Sequence, residues 1–297
     1  MIYGASFSPE YASYLGFDFK KVYKKILNEW NFKHVRLSAQ WNLIEKKQGE
    51  FNFDDLDWLM NESGKRIVKV ILVVGQKVPR WPECHLPDWV DRSQYSNYKP
   101  ALFNFIATVV QRYKNHPSLE FWQVENEPFL KFGSCMPLTA DELAEEIGVV
   151  KKLDSAHPVI ITDSGELSTW RKTAKASDIF GTTLYRVVWN ETLGYFSYRW
   201  LPAFVYTAKL WLNGRDPASA FITELQAEPW IPNRDLKEMP VDEQYKSMSL
   251  KQMKRNLNYA EKIGMSRAYL WGAEWWYWLE SRGISDFSLF MKSLKKE

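Results

Sequence analysis

Eight short apolar runs recur along this 297-residue chain, near residues 2–7, 34–38, 67–74, 119–125, 158–162, 179–185, 220–224 and 267–271. Helical patterns fall between them. Runs of this length that are apolar on both faces suit strands buried under helices, and strict strand–helix alternation argues for a parallel sheet with its helices outside. Eight such units can close into a barrel. The first run, Ile2-Tyr3-Gly4-Ala5-Ser6-Phe7, is not followed by the glycine fingerprint of an open dinucleotide-binding sheet. The expected fold is therefore α/β, a (β/α)8 TIM barrel formed as a single domain over residues 1–297.

The helical signals are periodic. Phe19, Val22, Tyr23, Ile26, Leu27 and Trp30 recur at three- and four-residue steps and make one apolar stripe. Leu102, Phe103, Ile106, Val109, Val110 and Tyr113 do the same. A third helix opens with Thr139 and Glu142 at capping-box spacing, after Pro137. Another is expected from about Val241 to Ile263, stopped by Gly264. The weakest helical signals lie around Thr169–Lys175 and Arg199–Leu212.

Bulk properties narrow the range of partners. There are 39 Lys and Arg against 36 Asp and Glu, a net charge of +3, and no basic stripe interleaved with aromatics. This excludes a polyanion-binding signature, so no nucleic acid is expected. The Lys-rich end, Lys292 to Lys296, is read as a solvated helix terminus. No stretch reaches the roughly 20 apolar residues of a membrane span. Met1 runs straight into the first strand signal without a signal peptide, so the chain is either intracellular or lacks a trimmed leader. Fifteen Trp are more than folding alone requires, and indole faces suit sugar rings as well as cores.

Two carboxylates stand out. The run Phe121-Trp122-Gln123-Val124-Glu125 ends in Asn126-Glu127-Pro128, and Ala220-Phe221-Ile222-Thr223 ends in Glu224. In a closed parallel barrel all strand C-termini open on one face, so both side chains are expected at the same mouth. A carboxyl pair about 5–5.5 Å apart would support a retaining double displacement at a glycosidic bond. Two close carboxylates cannot both ionise cheaply, so one holds a proton. Glu127 is assigned as the proton donor and Glu224 as the nucleophile. Arg36, taken to end the second strand, would keep Glu224 ionised. Tyr185, at the sixth strand end, would donate a hydrogen bond to Glu224. Asn126 would hold a sugar hydroxyl, and Trp271, at the eighth strand end, would form an apolar floor. No cofactor is needed, because the acid pair supplies the chemistry.

The chain resembles the retaining glycoside hydrolases with (β/α)8 barrels known as clan A, among them the family-five cellulases and mannanases. The resemblance rests on Trp122-Gln123-Val124-Glu125-Asn126-Glu127-Pro128, on Thr223-Glu224 and on Arg36. Gly49-Glu50-Phe51-Asn52-Phe53 and Pro79-Arg80-Trp81-Pro82 add to it. It implies Glu127 as acid/base and Glu224 as nucleophile, with Arg36, Asn126, Tyr185 and Trp271 lining the sugar subsite. It also implies a β-linked glucan, mannan or related oligosaccharide as substrate. Family five shows His-x-Tyr at the sixth strand, where this chain reads Thr183-Leu184-Tyr185. A transglycosylase using the same acids and a non-catalytic carbohydrate-binding barrel are the alternatives.

Other residues carry lesser expectations. Glu125 is read as a strand residue paired with a buried base, Glu228 as half of a loop salt bridge, and Glu166 as a possible sugar contact. His85 and Trp81, after the third strand, are candidate substrate contacts. Of the other histidines, His116 and His157 are read as structural, and none of the four, His34 included, has metal-site spacing with Cys or carboxylates. Cys84 and Cys135 lie in the loops after the third and fourth strands, and a disulfide between them would suit an oxidising compartment. Trp89, Trp189, Trp230, Trp275, Trp276 and Trp278 are assigned to segments on the mouth side, for sugar stacking or loop packing. The apolar segment Tyr195–Leu212 is read as an amphipathic sixth helix, with a lid or partner surface as the alternative.

Overall fold

The computed structural model of the protein describes residues 1–232 and 235–296. Its strands are β1 (Ile2–Ser6), β2 (His34–Ser38), β3 (Lys69–Val74), β4 (Leu119–Val124), β5 (Val159–Asp163), β6 (Ile179–Leu184), β7 (Val187–Asn190), β8 (Gly194–Ser197), β9 (Phe221–Gln226) and β10 (Arg267–Trp271). Eight of them close into a barrel in the order β1-β10-β9-β6-β5-β4-β3-β2, while β7 and β8 form a separate antiparallel hairpin. All eight expected strand runs are barrel strands. The hairpin was not foreseen. Its Val-Val-Trp-Asn and Gly-Tyr-Phe-Ser segments are only four residues each and half-buried, too short for a period to declare itself.

Packing divides the residues into two compact units. In the unit of residues 34–163 and 171–180, β2 pairs parallel with β3 from His34 opposite Lys69 to Ser38 opposite Val73. β3 pairs with β4 through Ile71–Phe121 to Val74–Val124, and β4 pairs with β5 at Trp122–Val159. Val70 to Val74 are all fully buried, which is why this strand reads as an unbroken aliphatic run. The helix Tyr95–Tyr113 lays Leu102, Phe105, Ile106, Val109 and Val110 inward. The helix Ala140–Leu153 starts at a complete capping box between Thr139 and Glu142, which satisfies two otherwise orphaned amides.

In the unit of residues 1–33, 164–170 and 181–296, β1 pairs with β10, β10 with β9, and β6 with β9, all parallel. The helix Phe19–Asn28 is capped by Asp18 and buries Val22, Tyr23, Ile26 and Leu27. Each such side chain contributes about 1.5–3 kcal/mol of burial, so a charge at Ile26 would undo the face.

The expected helix over 241–263 is broken into Val241–Gln244 and Leu250–Ile263. Ser249 is extended and its hydroxyl accepts the Gln252 amide, so a new helix is capped there instead of continuing. Gly264 ends it at φ +84° as read from the sequence. The segment 195–212 is not one helix. It comprises β8, a 3-10 turn at Tyr198–Trp200 and a helix at Phe204–Leu212. Tyr206 and Leu210 are fully buried, whereas Trp200, Phe204, Trp211 and Leu212 are exposed.

At the Lys-rich end Lys292 and Lys295 are exposed as expected, and Lys296 alone departs. Lys296 is buried, and its ammonium donates to the Met291 and Leu294 carbonyls. Burial pushes its pKa down to about 8. No helix among the described residues is long and apolar enough to cross a membrane.

Candidate active site

In the first unit named above, the functional side chains hang on a buried polar strand residue. Gln123 lies inside β4 and is fully buried. Its Oε1 accepts Arg36 Nε at 2.8 Å, and its Nε2 donates to the Glu125 carbonyl at 2.8 Å. Arg36 sits in the middle of β2, which runs on to Ser38, and does not end the strand as expected. Its Nη2 donates to Asn126 Oδ1 at 2.8 Å, and the Thr162 hydroxyl reaches the same oxygen at 3.2 Å. With donors on that side, the Asn126 amide orientation is settled. Its Nδ2 then faces away, buried, with no hydrogen-bond partner among the described residues. A buried unsatisfied donor is rare enough in a folded protein to call for a ligand or a functional role.

Glu127 follows at φ +46°, in the left-handed region that a non-glycine residue seldom enters. Two bonds hold it there. Its amide donates to Thr162 Oγ1 at 2.9 Å, and its carbonyl accepts Lys77 Nζ at 2.9 Å. Lys77 also donates to the Leu130 carbonyl, so one buried ammonium staples the whole 127–130 turn. Glu127 itself is buried, at 6% exposure.

Glu125 departs from the reading made of it. It lies one residue past β4 at φ +60°, and its carboxylate accepts the backbone amides of Gln76 and Lys77, both at 2.7 Å. Backbone amides, and not a basic side chain, are its direct donors. Gly75, at φ +127°, is required beside it, because a Cβ there would fall 2.1 Å from Glu125 Oε1.

The loops after β3 and β4 are joined by the Cys84–Cys135 disulfide. The Ser134 amide also donates to the Pro82 carbonyl. Trp81 is 55% exposed and meets Phe132 edge-on. His85 is different. It is 1% exposed, with its two ring nitrogens 3.3 Å from Gln40 Nε2 and from the Arg80 carbonyl. This ties it into the loop fabric and leaves no exposed imidazole for a sugar.

In the other unit, Glu224 lies inside β9, which runs on to Gln226, and does not end it. Its carboxylate, 3% exposed, accepts the Tyr185 hydroxyl at 2.8 Å on Oε2. Tyr185, one residue past β6, meets Trp230 edge-on, and its own amide donates to Glu166 Oε1. Glu166 is half-buried, with the Tyr206 hydroxyl as a further donor. Burial pushes its carboxyl up to about 7 against the pull of those donors. Glu166 thus supports Tyr185 through its backbone amide.

Gln226 accepts the Arg186 and Val187 amides and fixes the backbone leaving β6. Trp271 ends β10 at 8% exposure, its carbonyl held by the Ala227 amide. Trp275, Trp276 and Trp278 are buried in the helix Ala273–Glu280, which makes them packing residues.

Sequence reasoning missed Gln123, Thr162, Lys77 and Glu146. A glutamine inside an apolar strand was a readable signal. So was Glu146, standing in the inward stripe of Leu143, Ile147 and Val150. Lys77 gave none, because a lone lysine in a loop is ordinarily solvated.

Comparison with known proteins places this geometry in context. Residues 58–194 match the family model for the TIM barrel domain of glycosyl hydrolases family 2. The strand motifs had pointed to family five instead. The β-galactosidase Pbg of Clostridium perfringens is 26% identical over 149 residues, covering 43% of this chain and 21% of that protein. Endo-1,4-β-xylanase 3 of Hypocrea jecorina is 31% identical over 101 residues, covering 33% of this chain and 26% of that enzyme. The chain thus spans about a quarter or less of each of these relatives. Among solved structures, xylanase 10B from Thermotoga petrophila superposes with a TM-score of 0.61 at 14% identity, covering 92% of this chain and 82% of that one. At that identity the likeness speaks for the barrel fold.

Proposed function

We propose that the chain is the catalytic barrel of a retaining β-glycoside hydrolase, with Glu127 as acid/base and Glu224 as nucleophile. The observation that carries this reading is Asn126. Its amide oxygen is locked by Arg36, its amide nitrogen is left without a partner, and it immediately precedes Glu127. A closed parallel barrel opens the C-terminal ends of its strands on one face. Glu127 follows β4, and Glu224 lies in the C-terminal half of β9. The relatives named above are a β-galactosidase and an endo-1,4-β-xylanase, which supports a β-linked substrate. A glucan, mannan or related oligosaccharide remains the proposed class.

The chemistry runs in two displacements. The Glu224 carboxylate attacks the anomeric carbon as the bond to the leaving oxygen breaks, and Glu127 gives that oxygen its proton. Glu127, now ionised, takes a proton from water as the water oxygen attacks the same carbon. The ester bond to Glu224 breaks, and both carboxyls return to their starting states. The Tyr185 hydroxyl steadies Glu224. Asn126 Nδ2 donates to the hydroxyl beside the reacting carbon, and Trp81 and Trp271 offer ring faces.

Azide rescue tests the assignment on a panel of aryl β-glycosides. Glu224→Ala with azide is expected to yield the α-glycosyl azide, and Glu127→Ala the β-glycosyl azide. Glu127→Ala should also spare substrates whose leaving groups need little protonation. Equal loss on every leaving group would reject the role given to Glu127.

A further inference from the structure

Behind the Glu127 turn lies a second carboxyl pair that takes no part in the proposed chemistry. Glu125 and Glu146 are both fully buried. Three of their four carboxyl oxygens have a donor. Glu125 takes the Gln76 and Lys77 amides, and Glu146 Oε1 takes the Tyr95 hydroxyl at 2.7 Å. Glu146 Oε2 is buried and has no donor among the described residues. The two side chains interact directly with each other. Two carboxylates cannot both stay ionised when they are buried and hydrogen-bonded to each other, so one of the pair holds a proton.

We propose that Glu146 is a positioning residue that works as a protonated acid, donating one hydrogen bond to Glu125 and so holding the loop that carries Glu127. The chain of contacts is continuous. Glu146 projects from the helix Ala140–Leu153 and fixes Glu125. Glu125 fixes the Gln76 and Lys77 backbone, and the Lys77 ammonium holds the Glu127 and Leu130 carbonyls. Tyr98 adds a second grip through Gln76 Oε1 at 2.6 Å.

The groups facing the pair support a shared proton. Tyr95 and Tyr98 are neutral phenols, driven further up by burial and by the Glu125 and Glu146 charge. Glu142 adds negative charge beside Glu146, and the Lys77 ammonium acts on Glu125. Burial and the charge of Glu125 hold Glu146 well above the usual carboxylate range.

A raised native pKa means that the folded state binds more protons than the unfolded one above the ordinary carboxylate range. The contribution of the pair is therefore complete in acid and is lost as pH rises through the native value. The pair is thus a latch that loosens in base. The activity arm of the test rests on the glycosidase reading, whereas the stability and spectroscopic arms need no substrate.

The experiment compares wild type, Glu146→Gln and Glu146→Leu. In wild type at neutral pH, the infrared carbonyl band of a protonated buried carboxyl is expected and should move on deuteration. Glu146→Gln keeps an amide donor toward Glu125, so one component of the band should be lost, leaving those of Glu127 and Glu166, and the melting temperature should fall less with pH than in wild type between about pH 5 and about pH 9. Glu146→Leu removes the donor and should lower kcat/KM at least tenfold, with Glu146→Gln restoring most of it. The proposal is overturned if wild type shows no protonated-carboxyl band at neutral pH. It is equally overturned if the Glu146→Gln melting profile runs parallel to that of wild type. If Glu146→Gln fails to fold, the infrared spectrum of the Glu127→Gln, Glu166→Gln double variant decides, and absence of a protonated-carboxyl band there overturns the proposal. If no glycoside is turned over, those same two measurements still decide, and only the enzymatic reading has failed.

Discussion

The Tyr185 hydroxyl donates to Glu224 Oε2 at 2.8 Å, and the Tyr185 amide is in turn held by Glu166. The phenol is thus fixed at both ends, by its backbone and by its tip. A hydrogen bond to a charged group contributes about 1.5–3 kcal/mol. Tyr185→Phe should therefore lower kcat/KM roughly ten- to hundredfold. Steady-state kinetics on an activated aryl β-glycoside would measure it, and an unchanged rate would remove Tyr185 from the site.

The Nδ2 of Asn126, without a partner among the described residues, predicts a specific loss. Asn126→Ala should reduce turnover on the order of a hundredfold, the scale of a hydroxyl contact that strengthens in the transition state. Wild type acting on the corresponding 2-deoxy glycoside should lose a similar factor, and the two losses should not add. Full additivity in that cycle would mean that Asn126 does not touch the hydroxyl.

The Cys84–Cys135 bond closes a loop across a sequence separation of 51 residues. Removing it with the double change Cys84→Ser and Cys135→Ser should cost about 2–4 kcal/mol of folding stability. Urea titration would report this as a lower midpoint. Trp81 lies three residues before Cys84, so a weaker KM for longer substrates is expected alongside.

Glu166 carries a pH signature of its own. Burial raises it from 4.5 to about 7, so the native state binds the extra proton between those values. Its stabilising contribution is complete below about pH 4.5 and declines by up to about 3 kcal/mol as pH rises through 7. Glu166→Gln should flatten that decline, as read by urea unfolding at pH 5 and pH 8. A slope equal to that of wild type would show that Glu166 is ionised in the fold throughout.

Much of this molecule is written locally. Thr139 and Glu142 stand three apart and form a capping box wherever a helix starts between them. Gly264 takes φ +84° because a helix must end there. The run Val70–Val74 declares a doubly covered strand. Such features depend on neighbours a few residues away, so the eight barrel strands and the barrel they form could be read without coordinates.

The partnerships of the polar side chains were settled only in three dimensions. Glu125 looked like any strand acid until the Gln76 and Lys77 amides were found on it. Lys77 looked like any solvated loop lysine until burial turned its ammonium onto the Glu127 and Leu130 carbonyls. Ser249 split a continuous apolar period into two helices. The physical reason is the same each time. Periodicity reports which residues leave water, because burial of apolar area is additive along the chain. A buried donor or acceptor must be matched to one particular partner, and only the folded backbone decides which partner comes within reach.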